Sequence, residues 1–263
     1  MENCNKAIGV MDSGVGGLTV LKELYKLCPE ENYLYFGDTK NLPYGEKTKE
    51  QLIEIVKEIF DFFEKKEVKA VVLACNTTSA TAYEELKDKY SFKIYPLIQI
   101  VSKCVAEDKG LTRIGVMATQ ATINSHKYSQ ELKKNNPQIQ VFEKSCPLWV
   151  PIVEKQIVEY DENVVFKGYL EDVLNFKPQK IILGCTHYPY LTDKLQNYAP
   201  RDIFINPAKL FAEYIKEDLC KHNLAAKNNN GEINYFASSE PEKFANNANM
   251  FMEIDSKPEL VKL

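Results

Sequence analysis

Two stretches of the chain carry the same arrangement. "VVLACNTTSA" (71–80) and "IILGCTHYPY" (181–190) each run three aliphatic residues and one small residue into a cysteine, with a threonine close behind. A short apolar run of this kind reads as a buried strand, and the polar residues after it as a turn. Cys75 and Cys185 therefore stand at strand ends. A free thiol titrates near pH ~8.5, so a modest shift makes it a useful base. Two such thiols suit one reaction above others, the inversion of a carbon centre. One thiolate removes a proton from one face and the other thiol returns one to the opposite face. The α-proton of an amino acid is only weakly acidic. Positioning, exclusion of water and hydrogen bonds to the developing enediolate must supply most of the barrier reduction. Asn76, Thr77 and Thr186 are placed to provide such bonds.

A free cysteine is usually just a small buried hydrophobe. The seven here (4, 28, 75, 104, 146, 185 and 220) are odd in number, scattered, and contain no C-x-x-C pair. Neither a disulfide framework nor a zinc site is signalled. Cys75 and Cys185 are set apart by their neighbours alone.

Other polar residues collect at strand ends, where ligands sit in open parallel sheets. These are Asp12 and Ser13, Asp38, Thr119, and Thr186 with His187. Asp12 precedes "SGVGGLT", which begins like a dinucleotide fingerprint but has Thr19 in place of the third glycine. The run is read as a tight turn that can offer N–H groups to a small anion, with Asp38 standing where a ribose-binding carboxylate would lie. Asp12 itself is either a helix N-cap or a group for a substrate ammonium. Pro43, Tyr44 and Gly45 in "NLPYGEKT" form an ordinary loop or cover a ligand. His187 is a structural hydrogen bonder or a general acid–base. Glu154 opens the run after "CPLWVP", near the start of an expected helix, where a carboxylate suits the dipole.

The elements that must position these residues alternate along the chain. Strands are expected at 7–12, 32–38, 69–75, 93–98, 113–119, 139–146 and 179–185. Helices are expected at 17–28, 49–66, 79–90, 125–135, 151–159 and 163–176. Such alternation implies parallel sheets in an α/β architecture. "IGVM" occurs at 8–11 and again at 114–117, an offset of 106, and the two cysteines are offset by 110. Two features at nearly one displacement point to a duplicated unit. Two similar domains with parallel sheets, related by a pseudo-twofold duplication, are expected to face each other across a central cleft. The "KNNNGEINYFASSEPEKFANNANMF" stretch (227–251) is asparagine-rich and is expected to hold a surface loop, with no assigned function.

Composition excludes several classes. With 33 basic and 37 acidic residues, the formal charge is −4, so no basic surplus suggests nucleic acid. The N-terminal residues lack signal-peptide character, and no apolar run reaches the ~18 residues needed to span a bilayer. A cytoplasmic protein without membrane partners is expected.

Five segments in order resemble the cofactor-independent glutamate racemases of the aspartate/glutamate racemase family. They are "MDSGVGGLT" (11–19), "FGDTKNLPYG" (36–45), "ACNTTSA" (74–80), "CPLWVPIVE" (146–154) and "GCTHYP" (184–189). The resemblance implies interconversion of L- and D-glutamate without pyridoxal phosphate or metal, supplying D-glutamate for peptidoglycan synthesis and so for cell-wall biogenesis and cell shape. It implies that Cys75 acts on D-glutamate and Cys185 on L-glutamate, with Asp12, His187 and Glu154 assisting. It assigns substrate binding to the pairs Asp12–Ser13, Tyr44–Gly45, Asn76–Thr77 and Thr186–His187, to which Pro43, in the loop that could cover a ligand, and Thr119, at its strand end, are added as substrate-binding candidates. The family fold places residues 1–98 plus 206–263 in the first domain and 99–205 in the second. A homodimer is a further expectation. Members activated by a cell-wall precursor tend to carry an N-terminal extension; here the motifs begin near residue 8, so such activation is not expected.

Three other readings compete. An aspartate racemase of the same family would use the same cysteine segments. A cysteine hydrolase would use Cys185 with His187, which two-residue spacing should keep out of nucleophile–base alignment, and would leave Cys75 without a role. A two-lobed binding protein would need no thiols.

Overall fold

The protein is described by a computed structural model covering residues 3–227 and 230–263. Its strands in chain order are β1 (Ile8–Asp12), β2 (Tyr33–Gly37), β3 (Ala70–Leu73), β4 (Lys93–Pro96), β5 (Arg113–Ala118), β6 (Gln140–Ser145), β7 (Lys180–Gly184), β8 (Phe204–Ile205), β9 (Ile233–Ala237) and β10 (Glu259–Leu260). They form a six-stranded sheet ordered β10-β9-β2-β1-β3-β4 and a four-stranded sheet ordered β6-β5-β7-β8. Every pairing is parallel. The chain divides into two units, Met1–Leu97 with Ala208–Leu263, and Ile98–Pro207.

Each unit builds the same core around its central strand. β1 lies between β2 and β3, and β5 lies between β6 and β7. The two "IGVM" copies are these central strands, fully buried apart from one half-buried end residue, as expected of strands covered on both faces. Both cysteine strands take the equivalent place, β3 beside β1 and β7 beside β5. In the first unit the helix Lys49–Lys65 covers the sheet with Leu52, Val56, Ile59, Phe60 and Phe63, spaced to share one face. Its start is written locally. Thr48 accepts a hydrogen bond from Gln51 N–H, and the Gln51 side chain accepts one from Thr48 N–H, a reciprocal capping box. In the second unit Trp149, Phe166, Leu170, Val173, Leu183 and Tyr188 form the corresponding core.

Three expected elements differ. The helix expected at 79–90 begins directly after Cys75 and breaks into Asn76–Thr81 and Tyr83–Leu86. The helix expected at 151–159 is only Trp149–Val153. Lys155 turns left-handed (φ 56°), and the N–H groups of Gln156 and Ile157 both return to the Pro151 carbonyl. Glu154 is therefore the C-terminal cap residue of that helix, and the dipole argument for it is reversed. The stretch 227–251 holds regular elements beyond the expected surface loop. Ile233–Ala237 pairs with β2, and Pro241–Ala248 is a helix with proline in its first turn. Asn228 and Asn229 of that stretch, and the first two residues of the N-terminal stretch, lie outside the described residues. Among the described residues no helix is long and apolar enough to cross a membrane.

Candidate active site

The first group of site residues surrounds Cys75, which follows β3 and is 7% exposed. Its Sγ donates to Ser13 Oγ at 3.7 Å. Asp12, at the end of neighbouring β1, is buried, and its Oδ2 accepts the Gly14 N–H at 3.0 Å. Asp12 does not cap the helix Leu18–Leu27, whose N-cap is Gly17 without a side-chain bond. Instead it folds the glycine turn onto itself. The turn needs its glycine, because a Cβ on Gly17 would lie 2.5 Å from Asp12 Cβ. Tyr35 ties the same turn down by donating to the Gly14 carbonyl at 2.9 Å.

Burial pushes the Cys75 thiol up, and the negative charge of Asp12 adds to that. The Thr78 N–H and the Ser13 hydroxyl pull the other way without prevailing. Cys75 is thus held as a neutral thiol. Asn76 and Thr77 occupy the first turn of the following helix and are buried beside it.

The loop with Pro43, Tyr44 and Gly45 belongs to the same unit. Pro43 and Gly45 are exposed, but Tyr44 is buried, and its hydroxyl donates to Asp38 Oδ2 at 2.6 Å. Burial, followed by the Asp38 charge, pushes the Tyr44 phenol well above its ordinary range.

The second group surrounds Cys185, which follows β7 and is 8% exposed. His187 Nδ1 lies 3.8 Å from Cys185 Sγ and 3.4 Å from Thr186 Oγ1, and Nε2 lies 3.0 Å from Glu154 Oε1. The expectation that Cys185 and His187 could not align is overturned. A tight turn brings them together, with the Tyr188 N–H bonded to the Cys185 carbonyl. Burial opposes the charged imidazole, but hydrogen bonds to Cys185 and Glu154 outweigh it and push His187 up to about 10. His187 is therefore an imidazolium at neutral pH, with one N–H toward sulfur and one toward carboxylate. Glu154 reaches it because the helix stops so early. Thr119 follows β5, half-buried, with its hydroxyl donating to Thr122 Oγ1 at 3.2 Å.

Residues outside the sequence-derived set hold this second group in place. Fully buried Trp149 donates from Nε1 to the Val165 carbonyl at 3.0 Å and meets Tyr188 edge-to-face at 4.8 Å. Tyr188 donates to the Cys146 carbonyl at 2.8 Å. These contacts fix the segment bearing Glu154 against the one bearing His187. The aromatic residues were visible in "CPLWVP" and "GCTHYP", but nothing local signalled that they meet. Among the described residues no group of three or more His, Cys, Asp or Glu side chains could hold a metal ion.

Both halves thus present a buried thiol at the end of an equivalent parallel strand, each with its own acid or base beside it. Residues 8–215 match the model of the Asp/Glu/Hydantoin racemase family. The chain belongs to that family. It is 37% identical to glutamate racemase 2 of Caldanaerobacter subterraneus subsp. tengcongensis over 252 residues, 94% of each chain. Its fold is similar to that of glutamate racemase from Thermus thermophilus in complex with β-chloro-D-alanine, with TM-score 0.88, 33% identity, and coverage of 99% and 98% of the two chains. It is likewise similar to glutamate racemase from Francisella tularensis in complex with D-glutamate, with TM-score 0.89, 32% identity and 98% coverage of each.

Proposed function

We propose that this protein is a glutamate racemase in which Cys75 and Cys185 exchange protons with Cα from opposite faces. The observation that carries the reading is the pair of buried thiols at the ends of β3 and β7, each the counterpart of the other in its sheet. The full-length likeness to glutamate racemases supports glutamate as the substrate.

The two surroundings differ in a way that suits the task. For L-glutamate, the Cys185 thiolate takes the α-proton while the His187 imidazolium, itself held charged by Glu154, steadies the thiolate. The Cys75 thiol, held neutral by burial and Asp12, then gives a proton to the other face. The product is D-glutamate with a Cys75 thiolate and a Cys185 thiol, and the reverse reaction runs the roles backward. No electron acceptor is required, since the carbanion is carried by the substrate carboxylate as an enediolate. Ser13, Asn76, Thr77, Thr119 and Thr186, with the backbone N–H groups of Tyr44 and Gly45 beside Pro43, supply neutral donors for the two carboxylates. The role assigned is D-glutamate supply for peptidoglycan synthesis in the cytoplasm.

The Cys185–His187–Glu154 geometry would also fit a cysteine hydrolase. That reading gives the matched thiol at Cys75 nothing to do.

The deciding experiment is incubation with L-glutamate in heavy water without added cofactor, following optical rotation and deuterium at Cα. Rotation should decay to zero with deuterium in the newly formed enantiomer, and L-aspartate should react far more slowly. Cys75→Ala and Cys185→Ala should each abolish racemisation in a folded protein. Full activity in either variant would sink the two-base mechanism.

A further inference from the structure

Asp38 follows β2 and is 1% exposed. Its carboxylate accepts bonds from three side chains. Tyr44 OH reaches Oδ2 at 2.6 Å, Ser238 Oγ reaches Oδ1 at 2.6 Å, and Asn41 Nδ2 reaches both oxygens at 2.9 and 3.1 Å. Among the described residues no cation pairs with it. A buried charge is tolerated when hydrogen bonds replace its lost hydration. Here all the replacements come from the loop after β2 and from the residue after β9.

The loop is tied to that C-terminal strand a second time. Lys40 N–H donates to Ser238 Oγ at 2.9 Å, and Thr39 Oγ1 donates to the Ser239 carbonyl at 2.7 Å. Gly37, just before Asp38, is packed so closely that a Cβ there would lie 2.4 Å from Phe244 and 2.6 Å from the Gly14 carbonyl. Asp38 N–H itself bonds to the Asp12 carbonyl at 3.0 Å. One buried residue thus joins the glycine turn, the Pro43–Gly45 loop and the C-terminal strand.

We propose that Asp38 is a positioning residue for substrate. Its carboxylate clamps the Tyr44 hydroxyl and so fixes the backbone of Pro43–Gly45, exposed at Pro43 and Gly45, in the geometry that receives a glutamate carboxylate. The C-terminal segment, through Ser238, is the other jaw of the clamp. This rests on the racemase reading above. Beyond two single turns, Thr39–Asn41 and Tyr44–Glu46, the loop is held to its surroundings by side chains, so loosening it should weaken substrate binding more than it slows proton transfer.

The test is steady-state racemisation of L-glutamate by the wild type and by the Asp38→Asn, Ser238→Ala and double variants, with thermal melts alongside. Asp38→Asn should raise KM roughly tenfold or more, with a smaller fall in kcat. Ser238→Ala should move KM the same way by less. The double variant should be no worse than Asp38→Asn alone. Amide hydrogen exchange of residues 39–47 should quicken in both single variants. Lower melting temperatures with unchanged KM would show a merely structural residue and overturn the proposal. Should Asp38→Asn not fold, Ser238→Ala decides it by the same split between KM and kcat. A wild type that does not racemise glutamate brings down the underlying reading, and this inference with it. A wild type that racemises while the variants keep its KM brings down this inference alone.

Discussion

His187 is held between Cys185 and Glu154: Nδ1 is 3.8 Å from the sulfur, and Nε2 is 3.0 Å from a carboxylate thirty-three positions earlier in the chain. Glu154 can be there only because the helix Trp149–Val153 ends just before it. Glu154→Gln keeps the hydrogen-bonding shape and removes the charge. Racemisation should fall on the order of 10²-fold, within the range for general acid–base groups. The imidazole titration seen by NMR should drop from about 10 toward the ordinary histidine value. An unchanged titration would mean that Glu154 does not hold the proton on His187.

The same shift makes stability depend on pH. The His187 pKa is raised, from the ordinary histidine value of 6.5 to about 10 in the folded protein. The folded state therefore binds the proton more tightly than the unfolded one. The stabilisation is full below about pH 6.5 and is lost as pH rises through about 10. Comparison of the wild type with His187→Asn cancels most other titrations. The gap in melting temperature should be widest near neutral or mildly acidic pH and should narrow steadily toward pH 10. A gap independent of pH would contradict a charged imidazole.

Gly17→Ala tests how closely the glycine turn must approach Asp12. The added Cβ would meet Asp12 Cβ at 2.5 Å, Asp12 Cγ at 2.8 Å and Ala74 Cβ at 3.0 Å, all in buried surroundings. Relief requires moving Asp12 or the strand end that leads to Cys75. Overpacking of this kind costs about 1–3 kcal/mol. A lower denaturant midpoint should accompany a loss of activity greater than the unfolded fraction explains.

Lys69, just before β3, and Glu31 form a buried ion pair at the opposite end of that strand from Cys75. Lys69 also donates to the carbonyls of Cys4 and Leu224, and Glu31 accepts the Ala226 N–H. Together they tie the N-terminal turn and the segment after the helix Pro207–Lys221 to the start of β3. Lys69→Met leaves the carboxylate buried without its partner, which destabilises by about 3–5 kcal/mol. Chemical denaturation should show this loss, while racemisation per folded molecule stays near that of the wild type.

Much of the architecture is local and could be read from the residues in order. Each strand and its following helix have their own periodicity, and parallel sheets follow from the alternation. The helix Lys49–Lys65 announces its first turn with Thr48 and Gln51. Both cysteines were marked by the apolar runs before them, because strand ends are where a parallel sheet leaves backbone and side chains free for a ligand.

What only the tertiary structure decided depends on contacts between distant residues. Ser238 lies 200 positions from Asp38, and no pattern near either one indicates the bond between them. The strand Ile233–Ala237 hides in an asparagine-rich stretch and is recruited by the open edge of β2. The apolar and polar spacing of 151–159 suggested a longer helix. The chain instead turns at Lys155, and Trp149 and Tyr188 pack so that Glu154 meets His187. Sequence sets which residues can carry the chemistry, since side-chain type and strand-end placement are local properties. Their protonation states are set by burial and by neighbours that only the folded chain brings within a few ångströms.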